Sequence, residues 1–202
     1  TLRKAVDYFC HMAVYPDFHH DIQQLDPSFC ATEYFPKMSW LRNEIDDTYD
    51  PKYTDILRVA FTTEFKRGRL QDLVALISGR NFETKEFEEA IVESSFKRLK
   101  ESILNFMNED NFKKLIMIIR SAGFVDSSLL GGQNNTNFAY IAYLTLRAQG
   151  MPQNEIERHV RRWFVYSMLT GRYSTGSPES VFDYDIRQIH TQGFESYAAG
   201  KY

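Results

Sequence analysis

Cysteine is scarce in this chain, with only Cys10 and Cys30 among 202 residues. Two thiols cannot build a disulfide framework, and these two show no metal-ligand spacing, so they read as buried thiols in a reducing compartment. Long apolar runs are also missing. Runs such as Leu115 to Ile119 are far too short to cross a bilayer. The N-terminus shows no signal-peptide pattern, and a cytoplasmic protein with no membrane role is expected. Positive charge is not in excess either: the formal net charge is -3. A protein whose main task was coating nucleic acid would show a basic excess, so any phosphate binding must be local. No serine sits in a nucleophile-elbow glycine pattern, no phosphate-loop lysine motif occurs, and no run alternates with a period of two. The chain opens at Thr1-Leu2-Arg3, without Met and already inside a helical pattern, which reads as a piece of something longer.

What is present is apolar and aromatic: 43% hydrophobic residues and 15% Phe, Trp and Tyr argue for a packed core. The periodicity is helical almost throughout, so the expected fold is all-α: one compact multi-helix bundle over residues 1–202, with no sheet. Residues 1–49 form an irregular helical lead-in, 50–190 the core bundle and 191–202 a short C-terminal helix. Leu2, Val6, Phe9 and Ala13 mark a first helix that stops before Pro16, and Pro27 and Pro36 punctuate the stretch from Asp17 to Asp47. Asp50-Pro51 reads as an N-cap with Pro at the first helical position. The helix it opens stops at Gly68, and the next is closed by Gly79 as a left-handed C-cap.

A helix from about Thr84 to Met107 is expected to change faces at Ser94-Ser95. Phe87, Ala90 and Ile91 lie roughly 140° round from Phe96, Leu99, Ile103 and Phe106. The two halves are read as packing on different neighbours, in preference to a kink. Phe112 to Ala122 and Phe138 to Arg147 are apolar on nearly every side and belong at the centre, closed by Gly123 and Gly150. After Pro152, Ile156, Val160, Trp163 and Phe164 face inward, with Arg158, Arg161 and Arg162 opposite. Short helices over about Pro178 to Ile189 and Phe194 to Ala199 finish the chain.

Three loops share Gly, Ser, Asn, Gln or Thr: Ser78 to Asn81, Gly131 to Asn137, and Gly171 to Ser177. Capping accounts for much of this, with Gly79 and Gly171 as C-caps and Thr136 or Asn137 and Ser177 as N-caps. Arg172 and Tyr173 are surplus to capping. A polar loop leading into a helix N-terminus can hold an anion, because unpaired N–H groups and a partial positive charge face it. Arg172, Tyr173, Ser174, Thr175 and Ser177 are therefore candidate phosphate or nucleic-acid contacts, together with the basic face Arg158, Arg161 and Arg162. The rival outcome for Arg172 is a buried ion pair with Asp183 or Asp185, which would make the loop a structural brace. Neither catalytic residues nor a cofactor are expected. His11, His19, His20, His159 and His190 offer no pair of histidine ligands on one helix face, so no metal is expected either. The carboxylates Glu88-Glu89, Asp46-Asp47 and Asp183 with Asp185 read as solvated helix faces.

Four runs carry a resemblance. DPKYTDILRVAFTTEFKRGRLQDLVALISGRNFETKEFEEA (Asp50 to Ala90), LNFMNEDNFKKLIMIIRSAGFVDSSL (Leu104 to Leu129), NFAYIAYLTLR (Asn137 to Arg147) and VRRWFVYSMLTGRYSTGSPESVFDYDIRQI (Val160 to Ile189) resemble bacterial proteins of domain-of-unknown-function family 262, relatives of GmrSD-type modification-dependent restriction endonucleases. The resemblance implies a helical middle region between a nucleotide-handling domain with a DGQQR-type motif and an HNH nuclease domain. Neither motif occurs between Thr1 and Tyr202, so no catalytic residue carries over. Gly131-Gly132 departs from the expected Arg-Ser or Gly-Ser, and the Cys10 region matches loosely. The implied role is a scaffold in a phage-defence or restriction protein, with the flanking domains of its own chain, DNA and a second copy of itself as partners. A protein–protein interaction or dimerisation module is the alternative. A self-sufficient enzyme built on the Arg172 loop is a third reading.

Overall fold

The computed structural model describes residues 48–201 apart from 78, 83 and 131. The expected first helix from Leu2 to Ala13, the irregular stretch up to Asp47, both cysteines and His11, His19 and His20 lie outside the described residues. Within them the chain forms α1 (Tyr53–Phe65), α2 (Leu70–Ile77), α3 (Glu89–Phe106), α4 (Glu109–Ser121), α5 (Gln133–Ala148), α6 (Gln153–Thr170), α7 (Pro178–Gln192) and α8 (Phe194–Ala199). A 3-10 turn, Ser127–Leu129, precedes α5. The fold is all-α. The described residues contain no strand; Arg80 and Phe87 form an isolated antiparallel bridge. None of their helices is long and apolar enough to cross a membrane.

Helix α5 is the centre. Every residue from Asn135 to Leu146 is buried, and the helix packs against α6 on one side and α1 on the other. Helix α1 in turn carries α3, while α4 lies across α6 and α5, and α7 joins α8 to α1. The inward stripe of α6 is as the periodicity predicts: Ile156, Val160, Trp163 and Phe164 are buried. Phe138 links the layers, stacking on Tyr173 at 4.7 Å and meeting Phe182 edge-on at 5.2 Å.

Several expected boundaries move. Helix α1 starts at Tyr53, with Lys52 as N-cap, because the Asp55 carboxylate accepts from the Lys52 N–H at 2.9 Å. Asp50-Pro51 therefore precedes the cap. It ends at Lys66, whose left-handed backbone (φ 56°) sends its N–H to the Thr62 carbonyl. Gly68 is thus not the stop. Helix α5 begins at Gln133, after Gly132, so Thr136 and Asn137 are helical rather than caps. Its polar first turns look like loop in sequence, yet they make tertiary bonds: Tyr49 Oη donates to Asn137 Oδ1 at 2.7 Å, and Asn137 Nδ2 to Asp55 Oδ1 at 2.7 Å.

Helix α3 starts at Glu89 and runs unbroken to Phe106. Its C-terminal half buries Leu99, Ile103 and Phe106, and Ser102 Oγ donates to the Ala60 carbonyl of α1. Of the other expected stripe only Ile91 packs against the core, and α3 meets α2 as well as α1. Phe87 precedes the helix and is 69% exposed, Ala90 is exposed and Ile91 only half-buried. Helix α4 is also less central than expected. Phe112, Leu115, Ile116, Ile118 and Ile119 are buried, whereas Met117 is 58% exposed beside Lys113 and Arg120. One apolar residue facing water conceals the amphipathicity in the sequence. Its ends are well marked: Asn108 Oδ1 accepts from the Asn111 N–H at 3.1 Å, Glu109 and Asp110 occupy the first turn, and Arg120 the last.

Ile119 and Leu144, 0% and 1% exposed, sit on the two helices that were expected to centre the core. Truncating either to Ala should cost about 2–5 kcal/mol, as large-to-small core changes do. Urea denaturation followed by circular dichroism measures it. A loss under about 0.5 kcal/mol, the usual range for surface changes, would show that neither helix sits at a packed centre.

Candidate functional site

The segment joining α6 to α7 is built from glycine conformations and backbone bonds. Gly171 ends α6 in the left-handed region (φ 62°), where L side chains are strained and glycine is not. The Arg172 N–H then reaches the Ser167 carbonyl at 3.0 Å, and the Ser174 N–H the Gly171 carbonyl at 3.0 Å. Gly176 (φ 71°) turns the chain into Ser177, the N-cap of α7, with Pro178 at the first helical position. Ser177 makes no side-chain cap bond.

Arg172 points inward. Its Nε donates to Asp185 Oδ2 at 2.7 Å and its Nη2 to Asp185 Oδ1, a two-pronged pair in which the aspartate is fully buried. Two phenols complete the carboxylate's shell. Tyr173 Oη donates to Oδ2 at 2.7 Å and Tyr197 Oη to Oδ1 at 2.6 Å. Trp163 Nε1 donates to Tyr173 Oη at 3.0 Å, tying α6 into the same network. Asp185 therefore gathers α6, the loop, α7 and α8 at one point. The hydrogen bonds to Asp185 hold the Arg172 guanidinium even more firmly protonated than usual. Burial and the adjoining Asp185 charge push the Tyr173 phenol well above its ordinary range, and burial does the same for Tyr197.

The buried pair with Asp185 is the brace outcome for the loop, and Tyr173, 0% exposed, belongs to the core. Asp185 and Asp183 are buried rather than solvated. Ser174 and Thr175 remain exposed, and the Thr175 hydroxyl turns back to the Gly171 carbonyl at 3.4 Å. Beside them an open groove of about 400 Å³ is lined by Tyr166, Thr170, Arg172, Thr175, Ser180 and Tyr184.

The basic face of α6 is exposed at Arg158, Arg161 and Arg162, as expected. It is set back from the loop: by a rise of 1.5 Å per residue, Arg162 and Arg158 stand about 12 and 18 Å from Thr170 along the helix. Arg161 Nη1 reaches Ser121 Oγ at the end of α4, 3.5 Å away. Arg158 Nη2 lies 3.3 Å from His159 Nε2 and 3.9 Å from Glu195 Oε1.

Two of the three polar loops do converge. Arg58 of α1 donates from Nη1 to Asn134 Oδ1 and from Nη2 to Glu179 Oε1, each at 3.1 Å, while Asn134 Nδ2 donates to the Tyr173 carbonyl at 3.3 Å. Glu179 thus answers Arg58. The third loop is separate, folded on itself by the Asn81 to Glu88 side-chain bond at 2.8 Å.

Sequence reading missed a further cluster. The ligand atoms of Glu155, His159 and Glu195 lie within 4.8 Å of one another, with His159 Nε2 2.8 Å from Glu195 Oε1. Counting only histidine pairs overlooked the Glu155/His159 spacing of one helical turn on α6. No family model, curated protein or solved structure matches this chain.

Proposed function

We propose that this chain is the helical scaffold module of a nuclease-like bacterial defence (restriction) protein, connecting a nucleotide-handling domain to an HNH nuclease domain. Its family resemblance is the source of that assignment, and one observation supports the architectural part. The cation best placed to bind an anion, Arg172, is instead held by Asp185 at a junction of α6, α7 and α8. A module that commits such a group to bracing its helices keeps neighbouring domains at fixed separation. The surface left for DNA is then the exposed side of α6 with Arg158, Arg161 and Arg162.

Fluorescence anisotropy with duplex DNA over a salt series tests this. Phosphate contacts release counterions, so replacing Arg161 and Arg162 together by Ala should weaken binding and flatten the log–log salt slope by about 2. Binding that ignores salt, or no binding at all, removes DNA from the reading. The protein–protein or dimerisation alternative would then lead, resting on the exposed apolar residues Leu169 (81%), Met117 (58%) and Tyr184 (53%). Concentration-dependent association lost on replacing Leu169 by a charged residue would favour it.

A further inference from the structure

We propose that Glu155, His159 and Glu195 form a binding site for a divalent first-row transition ion of the Zn²⁺ type, which clamps α8 onto α6. Glu155 and His159 lie one turn apart on α6 and therefore project from the same side of one rigid element. Glu195 comes from the first turn of α8. The imidazole is the fixed member. His159 is 8% exposed, and its ring meets Phe194 edge-on at 5.7 Å. Phe194 itself packs edge-on against Trp163 at 5.7 Å, which sets the position of its neighbour Glu195.

The spacing suits a small cation. With metal–ligand bonds of about 2.0–2.1 Å, adjacent ligands of a tetrahedral ion stand roughly 3.3 Å apart. The ligand atoms bracket that edge, from 2.8 Å between His159 Nε2 and Glu195 Oε1 up to a limit of 4.8 Å. Rotations about the bonds of two long glutamate side chains cover the difference. One imidazole with two carboxylates selects against Mg²⁺ and Ca²⁺, which favour all-oxygen shells, and suits Zn²⁺ with water as the fourth ligand.

The hydrogen-bond geometry points the same way. His159 Nε2 faces the Glu195 carboxylate at 2.8 Å and the Arg158 guanidinium at 3.3 Å. Towards the carboxylate it must donate, and towards the guanidinium it must accept. One ring nitrogen cannot do both. An ion resolves the conflict by taking the lone pair of Nε2 and turning Glu195 into a ligand. Arg158, 3.9 Å from Glu195 Oε1, is then placed to hydrogen-bond the ligating carboxylates, the usual outer partner of such ligands.

Isothermal titration of the tag-free, full-length chain with ZnCl₂ alone tests the site. One ion per chain is expected. Glu155→Gln and Glu195→Gln should each weaken binding by roughly a hundredfold or more, beyond the 10–100-fold that loss of an outer-shell partner costs. Both residues lie outside the core, so these variants should fold. His190→Gln, at an exposed position on α7, should bind as the parent does. At Zn²⁺ about 100-fold above Kd, the melting temperature should rise by about 5–10 °C in the parent and hardly at all in the double Glu155→Gln/Glu195→Gln variant. Co²⁺ bound at the same site should give the intense visible bands of a four-coordinate ion. Absence of saturable binding would overturn the proposal, leaving His159 and Glu195 as an ion pair. So would Zn²⁺ binding that survives in the double glutamine variant but is lost in Cys10→Ser or Cys30→Ser.

Discussion

Asp185→Ala should lower the stability of the fold by about 3–5 kcal/mol, the cost of removing one partner from a buried pair. The carboxylate is fully buried and accepts from Arg172 twice, from Tyr173 and from Tyr197. Without it a largely buried guanidinium and two phenols lose their acceptor together. Arg172→Lys should also be destabilising, by about 1.5–3 kcal/mol, because an ammonium cannot serve both carboxylate oxygens in one plane. The urea midpoint should fall for each variant with little change in slope. In a double-mutant cycle, Arg172→Ala and Asp185→Ala should be non-additive by at least about 1 kcal/mol. Strict additivity would mean that the pair contributes nothing beyond its separate contacts. A purely structural brace also predicts that the activity of a parent protein carrying Arg172→Ala follows its folded fraction.

That buried carboxylate was partly legible beforehand. Asp185 lies between Phe182 and Ile186 and one turn before Ile189, all buried on the inward face of α7. A carboxylate at a core position of an otherwise apolar stripe needs a cation, and Arg172 was one residue past a helix cap. Reading Asp185 as solvated ignored its place in the 3.6-residue period. Helix order and the inward stripe of α6 followed from local periodicity, which tertiary structure did not override. The start of α5 did not, because Asn134 and Asn137 are satisfied by Arg58, Tyr49 and Asp55, partners distant in the chain. Phe87 kept helical spacing with Ala90 and Ile91, yet it lies before α3 in the segment that turns back through the Arg80–Phe87 bridge, so the three do not share one helix face. The Glu155/His159 half of the candidate metal site could have been read as one turn of α6. Glu195 could not, since only the docking of α8 brings it there.

Gly68→Ala should be among the most damaging single substitutions in the chain, on the order of 4 kcal/mol or more, well above ordinary overpacking. A Cβ at Gly68 would stand 2.2 Å from the Asp183 backbone nitrogen and 2.6 Å from the Phe182 carbonyl carbon. Both are main-chain atoms of α7, so no rotamer change relieves the clash, and α7 would have to move. That movement would break the bond from the Gly68 N–H to Asp183 Oδ1, 3.0 Å long and buried. It would also disturb Asp185, two residues further along the same helix. Gly150→Ala provides the contrast. Gly150 has a positive φ of 76°, but nothing lies within 4 Å of a Cβ there. Its cost should be that of the left-handed backbone alone, about 1–2 kcal/mol. Thermal and urea unfolding of the two variants side by side would separate lack of space from backbone strain. If Gly68→Ala cost no more than Gly150→Ala, the close approach of the α1–α2 connection to α7 would be wrong. If it is as damaging as expected, that approach fixes where α7 lies, and with it where Asp185 meets Arg172.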